Sequence, residues 1–170
     1  MFVTAAVGVL AAAAVPQLIT GLERMRALGA ARYLAGRLAL ARSQAVTRSA
    51  NVAVLLEADG DTFTCAMFAD GNGNGVRTSD IATGVDPQIA ERIRLSALFP
   101  RVELLLNDPA DTASRDTAAL MSFSPIGTAS SRTLYLRTTD SQYAVRVLGA
   151  TGRTRVLRYV PSTRAWIEVL

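Results

Sequence analysis

LERMRALGAARYLAGRLALARSQAVTRSANVAVLL, residues 22–56, decides the architecture, because the hydrophobic period changes inside it. Up to about Ser49 the apolar residues recur at helical spacing: Leu22, Met25, Leu28, Ala31, Leu34, Leu38, Ala41 and Ala45. Arg24, Arg26, Arg37 and Arg48 mostly lie off that stripe, so the segment reads as an amphipathic helix. Beyond it Val52, Val54 and Leu56 alternate, the period of a strand. The turn Ala58–Asp61 follows, then Phe63, Cys65 and Met67 alternate again, which is a hairpin pattern. One long helix hands over directly to sheet.

Downstream, strand patterns cover Val102–Leu106, Ala118–Ser124, Thr133–Arg137, Gln142–Leu148, Arg153–Val160 and Ala165–Val169. Ser124–Gly127, Thr139–Ser141 and Gly149–Gly152 separate some of them as turns. Short, closely spaced strands without a second amphipathic helix imply antiparallel sheets. The predicted class is α+β, with the second half of the helix packed on a C-terminal antiparallel head.

Upstream, residues 1–22 carry no charged side chain. As a helix at about 1.5 Å per residue, such a run reaches roughly 33 Å, close to the apolar thickness of a bilayer. A cleaved signal peptide fits less well, since the positive n-region is missing and the helical pattern runs on into charged sequence. Small residues, Gly8 among them, allow close helix approach, and Pro16 predicts a local break in helical stiffness. The chain is therefore expected to divide into a membrane or filament-core half-helix (1–22), an amphipathic half-helix (23–49) and a β-rich head (50–170).

Among the 170 residues there is no histidine and no lysine, and all 18 basic side chains are arginine. Histidine-based general base catalysis, His-ligated zinc and Schiff-base chemistry are excluded. A single cysteine, Cys65, forms no internal disulfide and reads as a small core residue. No catalytic constellation remains, so the expectation is a non-enzyme without cofactor or small-molecule substrate. An acidic middle, Ser49–Asp116, lies between two arginine-rich ends, which suggests separate surfaces.

Several segments together resemble the GspH/FimT family of pseudopilins and minor pilins. The run Val7-Gly8-Val9-Leu10-Ala11-Ala12-Ala13-Ala14-Val15-Pro16 is similar to a type IV pilin helix core. Leu40–Arg48 resembles the family's helix end, and Phe68–Gly75 its acidic glycine loop. Phe123-Ser124-Pro125-Ile126-Gly127 and Gly152-Arg153-Thr154-Arg155 are similar to later family segments. The resemblance implies a structural subunit of a type II secretion system or type IV pilus, assembling with other pilins through its N-terminal helix. It also implies a single-pass inner-membrane anchor with the head in the periplasm. Charge bias alone would put Arg24 and Arg26 in the cytoplasm. Family members begin with a basic leader and a cleavage site followed by Phe-Thr-Leu-Ile-Glu, and the resemblance implies prepilin-peptidase cleavage and N-methylation there. This sequence starts about six residues inside that pattern, and the expectation is that Met1 is a misassigned start.

Two candidate sites follow. Arg153 and Arg155, two residues apart on a strand, share a face with guanidiniums about 7 Å apart, suited to successive phosphates. Arg146 and Arg158 lie close enough in sequence to extend the patch. A similar Gly-Arg-x-Arg motif in FimT-type minor pilins is associated with DNA binding, so double-stranded DNA is the alternative partner; an arginine-rich solvated edge is the plainer reading. Asp70, Asn72 and Asn74 occupy positions 1, 3 and 5 of a calcium-loop opening, with glycine at position 6. Position 12 is Ile81, leaving Asp80 as substitute ligand; a Gly/Asn-rich turn is the competing reading.

Overall fold

The computed structural model describes residues 21–60, 62–109 and 116–169, and takes 2–20 only as part of the first helix. That helix, α1, is Phe2–Arg48. The expectations for residues 1–20, including Gly8 and Pro16, lie outside the residues whose side chains are described. Among the described residues no helix is long and apolar enough to cross a membrane.

The described part of α1 is rich in Ala, Leu and Arg, all good helix formers. It stops at Ser49, which takes φ 52°. The Ala50 amide donates to Ala45 O at 3.3 Å and the Ser49 amide to Val46 O at 3.3 Å, the 6→1 and 5→2 bonds of a Schellman end. The buried stripe is Ala27, Ala30, Ala31, Leu34, Leu38, Ala41 and Ala45. Its alanines let the helix axis approach the sheets. Leu34 and Leu38 each contribute roughly 1.5–3 kcal/mol on full burial. The expected stripe is corrected at its start: Leu22 is 53% and Met25 73% exposed, and Leu28 is half-buried. Periodicity marks a helix face but not where along the helix its cover begins.

Among the described residues nine strands follow: β1 (Val52–Asp59), β2 (Thr62–Ala69), β3 (Gln88–Arg94), β4 (Glu103–Leu105), β5 (Ala118–Phe123), β6 (Arg132–Arg137), β7 (Gln142–Leu148), β8 (Arg153–Val160) and β9 (Ala165–Glu168). They form two antiparallel sheets, β3-β2-β1-β5 and β4-β6-β7-β8-β9. Both press on α1. Val52, Val54, Leu56, Cys65, Met67, Met121 and Phe123 come from the first sheet, and Leu134, Leu136, Val145, Val147 and Val156 from the second. The other face of the first sheet is also covered. Ala53, Leu55, Ala66 and Phe68 meet Val76, Ile81 and Leu120 there.

Three elements were not expected from the sequence. Helix α2 (Thr78–Thr83) is six residues long and sets Ile81, half-buried, on the first sheet, too short a run to show a helical period. Helix α3 (Leu95–Leu98) is a single turn. Strand β3 is an edge strand whose pairing to β2 shifts register twice, which breaks the alternation of Ile89, Ala90 and Ile93.

Candidate functional site

The arginine face is built by the β7–β8–β9 meander. Val145 and Val156 are paired in the core, so Arg146 and Arg155, the next pair, point to the opposite face. Arg153 lies two residues from Arg155 and is exposed on that same face. Arg158 is two residues from Val156 and falls on the core side, so the expected extension through Arg158 is corrected by strand parity. Arg155 is not free: its Nη1 lies 3.0 Å from Glu168 Oε2 on β9. Arg146 Nε donates to Thr133 Oγ1 at 3.4 Å. Across the register Arg146 directly faces Arg155, a like-charge pair that Glu168 offsets.

Beside these arginines Trp166 packs between Tyr135 (centroids 5.7 Å) and Tyr159 (5.3 Å). Desolvation, then Asp108, pushes the Tyr135 hydroxyl up; Arg146 opposes them. These rings are half-buried against one another.

The acidic glycine loop brings Asp70, Asn72, Asn74 and Asp80 together, and it closes on itself. Asp70 Oδ1 accepts from the amides of Asn72 (3.2 Å) and Gly73 (2.7 Å). Its Oδ2 accepts from Gly75 N (2.8 Å) and Asn51 Nδ2 (3.1 Å). Asn72 and Asn74 turn their Nδ2 groups to Asp80 Oδ2, at 3.2 and 3.1 Å. Desolvation raises the Asp70 carboxyl, but the combined donors Asn51, Gly75, Gly73 and Asn72 outweigh it and hold its pKa below the ordinary value. Asn74, Asn72 and Ser79 do the same for Asp80. The oxygens proposed for calcium therefore serve the loop, and two amide groups present hydrogen, not oxygen, toward Asp80. Among the described residues no cluster of three or more Asp, Glu, Cys or His side chains could hold a metal.

The residue that fixes this loop was not singled out in the sequence. Asp86 is buried; its Oδ1 accepts from Gly71 N (3.0 Å) and its Oδ2 from Arg77 N (2.9 Å). Gly71 is required by approach: a Cβ there would lie 1.9 Å from Val85 O. No sequence period marks either residue.

Three of the segments noted above meet at one junction. Arg42 of α1 runs against Gly127, in the turn after β5, and Gly152, just before β8. Both glycines have positive φ, 88° and 59°. Ser124 stiffens the turn: its carbonyl accepts from Gly127 N (3.0 Å), and its Oγ pairs with Thr128 Oγ1 (2.7 Å). Cys65 is fully buried; desolvation raises its thiol pKa, with Arg37 opposing.

A long helix laid with its second half across antiparallel sheets is the pilin class of fold. The family model for the type II transport protein GspH matches residues 30–152, and the chain belongs to that family. Comparison with the curated proteins gives no match. Among solved structures, the minor pseudopilin EpsH from the type 2 secretion system of Vibrio cholerae is similar at 17% identity and TM-score 0.52, covering 78% of this chain and 97% of that one. The type IV minor pilin FimU of Pseudomonas aeruginosa is similar at 17% identity and TM-score 0.53, over 85% of this chain and 95% of that one. At such identities these two likenesses speak for the fold.

Proposed function

We propose that this protein is a non-enzymatic minor subunit of a pseudopilus or type IV pilus. The first half of α1 anchors it in the inner membrane, and its head lies in the periplasm until assembly with other pilins. The observation that carries this reading is the division of labour along one helix. Residues 27–45 supply a core stripe to both sheets, and the sequence before Glu23 is charge-free. A helix that continues beyond its packed stripe into a charge-free run has that run to offer to lipid or to neighbouring helices.

The test is a cysteine at Met25, which is exposed, in the full chain, whose native Cys65 is buried. In cells bearing a type II secretion system or type IV pilus, a thiol cross-linker should join Met25→Cys to another pilin in the membrane fraction. A chain that stays uncross-linked and washes off membranes in alkaline carbonate would overturn the proposal.

A second reading, DNA binding, is supported by one observation: Arg146, Arg153 and Arg155 share the outer face of one sheet. If Arg153 and Arg155 both contact phosphates, replacing both by alanine should reduce the salt slope of duplex binding by about 1.8. Absence of binding at low salt rejects this reading and leaves the structural role.

A further inference from the structure

Leu22, Glu23, Arg26, Pro100 and Arg101 line a cleft of about 320 Å³, sited where the charge-free run of α1 ends. That volume is near the lower end for small-ligand sites, about 300–1,000 Å³. Its far wall is held firmly. The Phe99 ring packs on Tyr33 at 5.6 Å and would touch a Cβ on Gly29 at 3.3 Å. Next to it Arg101 takes φ 65°, a conformation that a non-glycine residue adopts at a cost. This backbone aims a guanidinium back at the helix.

Glu23 is the unusual member. Only 11% of its side chain is exposed, yet its nearest charge partner, Arg101 Nη1, is 3.8 Å away, too far for a hydrogen bond. Among the described residues it accepts no hydrogen bond, whereas carboxylates so nearly buried ordinarily do. The cleft thus offers one under-used carboxylate acceptor and two guanidinium donors, Arg26 and Arg101, with apolar Leu22 at its edge.

We propose that this cleft seats the headgroup of phosphatidylethanolamine at the membrane surface. The phosphate meets Arg26 and Arg101, the ammonium donates to Glu23, and Leu22 borders the acyl region. A purely anionic headgroup leaves Glu23 facing like charge. A choline headgroup has no N–H to give Glu23. Among the headgroups of phosphatidylethanolamine, phosphatidylcholine and phosphatidylglycerol, the aminoethyl phosphate is the one that gives Glu23 a charged N–H donor while its phosphate meets both arginines. This inference rests on the membrane anchoring proposed above.

The experiment uses the full chain in nanodiscs of equal parts phosphatidylethanolamine, phosphatidylglycerol and phosphatidylcholine, with retained lipid counted by native mass spectrometry. Phosphatidylethanolamine should be enriched about tenfold over each of the others, the worth of one charge-assisted hydrogen bond. Glu23→Gln should erase the preference over phosphatidylcholine. Arg101→Gly suits the backbone there and should lower phosphatidylethanolamine retention; unchanged thermal unfolding shows that the variants are folded. Glycerophosphoethanolamine in solution should not displace the lipid, and displacement would overturn the lipid source. Equal retention of the three lipids, or a preference for phosphatidylglycerol, overturns the proposal. Vesicle flotation separates the two readings: a chain that floats without lipid preference refutes the cleft alone, and one that does not float refutes the anchor and the cleft together.

Discussion

Arg42 and Gly152 are in such close contact that a Cβ on the glycine would lie 3.0 Å from Arg42 Cδ and 2.6 Å from Gly127 O. The helix end, the turn after β5 and the start of β8 are thereby fitted to one another through two residues without side chains.

Gly152→Ala must both hold a positive φ and displace backbone, so it should destabilise the head by about 2–5 kcal/mol. Gly60→Ala is the control, since Gly60 also has positive φ (61°) but open space around it; it should cost only about 1–2 kcal/mol. Urea unfolding of the two variants distinguishes contact from conformation.

Arg42 itself should be replaceable in an instructive order. Its Nε is buried without a hydrogen-bond partner. Arg42→Met keeps the aliphatic stem and removes that donor, and should stay within about 1 kcal/mol of the parent. Arg42→Ala leaves a void between the glycines and should lose about 1–3 kcal/mol. If Met and Ala cost the same, the stem is not packed as described.

Asp86→Ala strips partners from the Gly71 and Arg77 amides, at about 1–3 kcal/mol each. Gly71→Ala forces Val85 O aside. Both variants should open residues 71–86 to limited proteolysis before the strands unfold, and simultaneous loss of loop and sheet would contradict that ordering.

Asp70 makes the same loop acid-sensitive. Its pKa is lowered on folding from an ordinary 3.8, so its contribution is complete above that value and is lost as pH falls through the lower folded value. Amide exchange of Gly73 and Gly75, slow at pH 6, should rise below about pH 4 beyond the intrinsic pH trend. Asp70→Asn should abolish that extra step.

Glu168 restrains the arginine face. Glu168→Gln frees Arg155 opposite Arg146, which should cost about 0.2–1 kcal/mol, less at high salt. If the face binds duplex DNA, this variant should bind more tightly at a given salt concentration, because a carboxylate that competes with phosphate for Arg155 is gone. Arg158→Ala, on the core side of the strand, should leave the salt slope of that binding unchanged.

How much of this was legible depended on whether a feature has a period. The α1 stripe from Ala31 to Ala45 and most strand positions repeat at 3.6 or 2, and the structure places them as the sequence implies. β3 escaped because its register shifts cancel alternation, and α2 because six residues are too short a run to show a helical period. Closeness in sequence groups Arg158 with the patch, although the rule of two that joins Arg153 to Arg155 separates it. The Arg146–Arg155 pairing depends on hairpin register, and the Arg42 junction on contacts between residues over eighty positions apart; neither leaves a local trace.

The buried stripe of α1 is met by strands from both sheets, down to Val156 on β8. A ribosome makes the helix first and this last covering strand almost at the end. Throughout that interval the apolar face is complete in sequence but has nothing to cover it. Emerging chains would therefore need a holding partner or a translocation channel until β8 arrives, and products terminated before it should be cleared by proteases rather than accumulate as shorter heads.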